Sequence, residues 1–254
     1  MSVAAGVPET GGYQEFLALA ADDLRILALL HDRELTPELL GELRGRPFGE
    51  QVMLGPEDDT GRAAFAVLDA ALASEECDGS PSQMDVLHAD YAAIYLNHTY
   101  QVSPNESVWV DPEGLVLQDA MFEIRRWYHH YGMQAEDWRK RSDDHLVLQL
   151  QFTAHLLVHP EAHGPKDAAA FIDHHILRWI EPFSARVAQR CSTQFYAGLA
   201  LVTAVVLKCL RSALVEVAGM PLIELEPIEE EKRRRRDKAA AEAQRFVPGA
   251  APSW

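Results

Sequence analysis

Three groups of side chains in this sequence combine residue types suited to chemistry. Asp143-Asp144-His145, near the start of RSDDHLVLQLQFTAHLL (141–157), sets two carboxylates beside an imidazole, the pairing that general acid–base catalysis uses. Asp is also a preferred helix N-cap, accepting hydrogen bonds from free backbone N–H groups. Capping explains the aspartates without requiring the histidine, so both readings stand on the sequence alone. His155, His159 and His163 recur at i, i+4 and i+8, which puts the first two on one helical face at a spacing that can hold zinc. Leu156, however, stands where a metalloprotease needs Glu, and His163 follows the helix-breaking Pro160, so surface histidines are expected. His31-Asp32 is the third group, a dyad of the kind that binds a metal in all-helical hydrolases.

A metal-dependent all-helical hydrolase is therefore the rival reading, and His31-Asp32 is similar to the dyad of HD phosphohydrolases. That chemistry needs further His and Asp ligands on both sides of the dyad, and no histidine precedes His31. Sequence patterns for a nucleophile elbow, a phosphate loop or a dinucleotide-binding loop are missing. None of Cys77, Cys191 and Cys209 has a base predictable beside it, as a reactive thiolate requires. The expectation is a protein that is not an enzyme, with no catalytic residues, no metal and no cofactor.

The elements that must position these groups are helical. With 254 residues and 48% hydrophobic side chains, the chain can bury a substantial core without disulfides. Apolar residues recur with helical rather than strand periodicity, which predicts helices over about 13–30, from Pro37, 63–73, up to Leu96, 118–131, 143–159, 165–179 and 193–218. Thr36-Pro37 reads as an N-cap with proline in the first turn, and Ser82 to Asp85 as a capping-box variant. Gly132 and Gly219 supply C-terminal stops. NHTYQVSPNESVWVDPEGL (97–115) is one long irregular piece, and loops of this length are often functional. The fold expected is all-α, a single helical-bundle domain of roughly 8–11 helices with one long functional loop. Residues 1–9 read as a flexible N-terminus, 10–221 as the domain, and 222–254 as a charged, disordered tail.

The net charge of −16 is unevenly spread, because residues 232–254 hold 7 of the 23 basic and 2 of the 39 acidic residues. An acidic body repels nucleic acid and attracts cationic partners, and Arg233 to Arg236 next to Glu229 to Glu231 reads as a solvated tail. Three cysteines without C-x-x-C spacing suit a reducing cytoplasm. The start MSVAAGVPETGG lacks the pattern of a secretory leader, and the apolar run 195–207 is shorter than the roughly 20 residues a bilayer needs. Cytoplasmic residence without stable membrane insertion is expected.

DYAAIYLN (90–97), SPNESVWVDPEGLVL (103–117), AMFEIRRWYHHYG (120–132) and DDHLVLQLQF (143–152), followed by HILRWIEPF (175–183) and QFYAGLALVTAVVL (194–207), resemble the TorD/DmsD-type family of molybdoenzyme-specific chaperones. Two positions depart from the family pattern. Only Asp144 and His145 survive of the E-P-x-D-H hallmark, and Asn97 stands for a glycine at a helix end, a role Asn also fills. The resemblance implies an all-helical cytoplasmic chaperone that binds a molybdopterin oxidoreductase subunit, as its apo form or by its twin-arginine leader peptide, and holds it until the cofactor is in place. Either a monomer or a homodimer would serve. The binding residues expected are Asp144 and Glu106 as carboxylates for guanidinium groups, His145, Ser107 and Pro104 beside them, and Trp109, Tyr91 and Trp127 for stacking and apolar contact. On this reading Asp144 and His145 face outward from a helix start, with the loop around Ser103 to Trp109 as their neighbour.

Overall fold

The computed structural model describes residues 10–56, 58–136, 141–159 and 164–245; the expectations for 1–9, for His163 and for the last nine residues fall outside them. The chain is all-α. Its helices are α1 (Thr10–Asp32), α2 (Pro37–Leu43), α3 (Asp59–Ala73), α4 (Pro81–Tyr91), α5 (Glu106–Val110), α6 (Asp119–His130), α7 (Leu146–Leu157), α8 (Gly164–Phe171), α9 (Leu177–Arg190), α10 (Gln194–Ala218) and α11 (Ile228–Arg245). Single 3₁₀ turns lie at Phe48–Glu50 and Glu75–Cys77, and π-helical segments at Ala92–Leu96 and Ile172–Ile176. No strand forms among the described residues beyond one isolated antiparallel bridge between Asn105 and His145.

α10 is the bundle's axis. Leu199, Val202, Val206, Leu210 and Leu214 are buried on it against α3 and α9, while α1 lies along α7 through Leu17, Leu24 and Leu27. Gly198 lets α3 approach closely: a Cβ there would come within 2.7 Å of the Leu68 backbone, nearer than packed atoms tolerate. At 25 residues α10 is long and apolar enough to cross a membrane, more than the 13-residue run expected. Here its apolar side chains fill the centre of the bundle, and it carries the buried Arg211.

Local signals account for most helix starts. Thr36 accepts from Leu39 N and Pro37 follows it; Asp58 accepts from Gly61 N. The capping box expected at Ser82 is replaced by Ser80 as N-cap with Pro81 in the first turn, proline's fixed φ being suited to that position. Gly132 and Gly219 are left-handed as expected, but Asn97 is not: the left-handed residue after the π segment is His98, at φ 54°. The helix expected to end at Trp179 runs on to Arg190 through Pro182, and α5 interrupts the long loop.

Asp90, first residue of DYAAIYLN, is buried and ties α4 to the start of α10, accepting from Thr193 N at 2.7 Å, Thr193 Oγ1 at 2.6 Å and Ser192 N at 3.1 Å. Past α10, residues 219–227 run without regular structure, and α11 then forms within the segment expected to be disordered. Its Ala, Glu, Lys and Arg residues are strong helix formers, and Glu231–Arg235 is a stabilising i, i+4 pair at 2.7 Å.

Candidate functional site

The motif Asp143-Asp144-His145 is folded inward. All three residues are buried, and the helix begins one residue later than the aspartates would place it. His145 itself is the N-cap of α7, its Nδ1 accepting from Val147 N at 3.2 Å. Asp144 joins the loop to this helix start, accepting from Ser107 N at 2.8 Å, Asn105 Nδ2 at 3.2 Å and Ser142 Oγ at 2.5 Å. Main-chain bonds complete the join: Glu106 N donates to Asp144 O at 3.0 Å and Leu146 N to Pro104 O at 2.8 Å. Asp143 accepts from Arg125 Nε at 2.8 Å, while its carbonyl receives the Tyr128 hydroxyl at 2.9 Å.

These facts correct the expected outward-facing carboxylates. Glu106 is 1% exposed and Asp144 0% exposed, because each satisfies buried donors that would otherwise lack partners. Glu106 accepts from Gln149 Nε2 at 2.7 Å and lies 3.1 Å from His175 Nδ1. Ser107 and Pro104 are buried with them. Trp109 is core rather than loop surface: its Nε1 donates to Ser103 O at 2.8 Å, its ring stacks on Trp179 with centroids 6.5 Å apart, and the Arg186 guanidinium covers it at 4.5 Å. Trp127 is half-buried, edge-on to Phe171. The loop and the α7 start are neighbours in space, as expected, but as an internal bracket.

What the bracket supports is a cleft of about 1340 Å³ between the ends of α1 and α4, the 116–118 loop, α6 and α7. Tyr91 and His145 are the two expected site residues on its lining. Sequence reasoning missed most of the others. Leu96, Val116, Leu117, Phe122 and Met133 line the cleft as large apolar side chains left exposed, from 36% for Met133 to 62% for Leu96. Contiguous exposed apolar surface of this kind marks an interaction site. The signal was present as three apolar residues, Leu115-Val116-Leu117, inside a loop. Two of the three non-glycine residues at positive φ, His98 and Leu117 at 60°, also belong to the lining, and such costly backbone clusters at ligand-contacting segments.

Cations as well as anions face this space. Arg141 donates to both the Asp32 carboxylate and the Asp32 carbonyl, which the Tyr91 hydroxyl also reaches at 2.6 Å; Arg33 takes the other carboxylate oxygen at 2.7 Å. Arg125 is held by Asp143. Asp32 is thus engaged by two arginines, while its neighbour His31 is a core residue, Nδ1 2.5 Å from Tyr95 Oη and Nε2 2.8 Å from Thr203 Oγ1. With both ring nitrogens used, His31 has no lone pair for a metal, and no group of three or more His, Cys, Asp or Glu able to hold one occurs among the described residues. His155 and His159 stack with centroids 5.3 Å apart.

Burial pushes His31 down to about 3 and, helped by the Arg141 guanidinium, pushes His145 well below its ordinary value. Both stay neutral when folded and take up protons when unfolded below about pH 6.5. Their stabilising contribution is therefore complete above that pH and is lost as pH falls toward the folded values. Each should remove about 1.4 kcal/mol per pH unit below 6.5, so the melting temperature should fall clearly between pH 7 and 5, with a shallower fall in His31→Gln. A melting temperature flat across that range would contradict the buried neutral pair.

Residues 56–185, just over half of the chain, match the family model described as nitrate reductase delta subunit, the family that takes in TorD/DmsD-type chaperones. The chain belongs to this family. It is 26% identical over 190 residues to the chaperone protein TorD of Shewanella pealeana, covering 70% of this chain and 82% of that one. Similarity to TorD of Vibrio vulnificus is 24% over 179 residues, covering 67% and 82%. The probable Tat proofreading chaperone DmsD of Haemophilus influenzae is 25% identical over 109 residues, 40% and 52% of the two chains. As a TorD/DmsD-type protein the chain is a chaperone of molybdoenzyme maturation and not an enzyme. The family match spans α3 to the middle of α9, and so includes every wall of the cleft except the end of α1.

Proposed function

We propose that the protein is a cytoplasmic chaperone that holds the catalytic subunit of a molybdopterin oxidoreductase by taking the apolar part of its twin-arginine leader into this cleft. The observation that carries the reading is the row of exposed apolar side chains from Leu96 to Phe122 along a cleft of about 1340 Å³, wide enough for a peptide segment rather than a small metabolite. The proofreading role in the printed name of the Haemophilus relative supports it. Asp144, Glu106, Ser107 and Pro104 then act from behind the wall, fixing the loop that presents Val116 and Leu117, while Tyr91 and His145 meet the peptide. Trp109 and Trp127 anchor the same wall through the core.

Calorimetry with a synthetic peptide of two arginines followed by an apolar stretch tests the proposal. Burying a Leu or Phe side chain contributes roughly 1.5–3 kcal/mol, so Leu117→Ser with Phe122→Ser should weaken binding at least about tenfold. The melting temperature should hardly move, since both side chains are about half-exposed already. Equal affinity for the variant and the parent, or capture of the folded subunit without its leader, would sink the cleft assignment.

A further inference from the structure

The outer side of the 111–118 loop, facing away from the cleft, is occupied by the chain's own C-terminal helix. Arg235 reaches the Asp119 carboxylate at 3.2 Å, and Arg236 donates to the Pro112 carbonyl at 2.6 Å. Glu231 of the same helix pairs with Arg178 on α9. The attachment is polar throughout: none of the described side chains of α11 is buried, and Asp119 is 76% exposed at its side chain. Exposed ion pairs of this kind each contribute about 0–1 kcal/mol. The root of the segment is held differently, by Arg211 to the carbonyls of Met220 and Pro221 and by Ile223 N to Asp173. A firmly held root therefore carries a tip that rests on its neighbours through guanidinium groups.

The tip's position relates to the cleft. Pro112 lies four residues before Val116 and Asp119 two residues after Leu117, so the arginine contacts bracket the very loop whose apolar residues form the wall. A chain with arginines on this rim and apolar residues entering beside Leu117 and Phe122 would read cationic, then apolar. Within the cleft, by contrast, Asp32 and Asp143 already hold arginines of the protein itself.

We infer that the rim made by the Pro112 carbonyl and the Asp119 carboxylate is a binding site for an arginine pair of the client's leader, occupied in the unliganded chain by Arg235 and Arg236. The inference rests on the leader occupying the cleft. Guanidinium groups suit this site, with planar donors for one carboxylate and one carbonyl, and binding the leader then requires α11 to leave.

The test keeps the full chain and uses the synthetic arginine–apolar peptide at low salt. Arg235→Ala with Arg236→Ala should free the rim and raise affinity about five- to tenfold, the size expected for losing two exposed contacts that compete. Adding Asp119→Asn to that background should lower affinity about three- to tenfold, with an unchanged melting temperature. Unchanged affinity in the double variant together with no effect of Asp119→Asn would overturn the rim assignment. If Leu117→Ser with Phe122→Ser still weakens the peptide in that case, the cleft reading survives alone. Absence of peptide binding to any of these chains removes both.

Discussion

Asp144→Ala should cost the fold about 3–5 kcal/mol, the sum expected when buried donors lose a shared anionic acceptor. Ser107 N, Asn105 Nδ2 and Ser142 Oγ all point at this carboxylate, and nearby Ser107 and Asn105 are themselves buried. In a chain of this size each kcal/mol moves the melting temperature by about 2–4 °C, so a drop near 10 °C or more is expected. Asp144→Asn keeps one acceptor oxygen but turns a donor toward donors, and should fall between parent and alanine variant. This order replaces the one the sequence suggests, in which the same substitution spares folding and weakens only binding. If the alanine variant fails to fold, the asparagine variant still reads the effect. An alanine variant that melts with the parent would show that the bracket contributes nothing.

The second large effect is expected at Asp173. Its carboxylate receives Arg211 Nε and Nη2, both at 2.8 Å, and Arg211 is 2% exposed. Asp173→Ala leaves a guanidinium buried without its counter-ion, which typically costs about 3–5 kcal/mol. Replacing both partners by apolar residues, as in Asp173→Leu with Arg211→Met, should recover most of that loss, because desolvation of two charges largely cancels their attraction. Urea unfolding of the two single variants and the double one measures the coupling. Additive losses in the double variant would mean that the pair does not act as a unit.

The helices were legible because their causes are local. Thr36-Pro37, Gly132 and Gly219 punctuate the chain where side-chain chemistry and φ preferences dictate, and apolar periodicity identified α1, α3, α6 and α10. The site was less legible, since its logic is tertiary. An aspartate before a helix looks the same in sequence whether it faces water or a loop folded back upon it; what decides is the approach of Asn105 and Ser107 from 37 and more residues away. Trp109 likewise became core only because Trp179 and Phe183 arrive from α9. Conversely, Val116 and Leu117 suggested ordinary packing by type, and only the placement of α6 leaves them facing open space. The charged tail was misjudged where helix propensity and a few arginine contacts outweighed the lack of apolar anchors.

The π-helical segment Ile172–Ile176 has a consequence for how this chain tolerates change in length. It joins α8 to α9 with one residue more in the turn than an α-helix would use. Deleting a single residue there would let the backbone close into uninterrupted α-helix with all its hydrogen bonds, yet would rotate everything downstream by about 100°. Trp179 and Phe183 would swing away from Trp109, and the wall that Trp109 supports would lose its backing. A one-residue indel, harmless to helicity, is thus the lesion to which this segment is most exposed, whereas substitutions that keep its phase leave the arrangement of α9 intact.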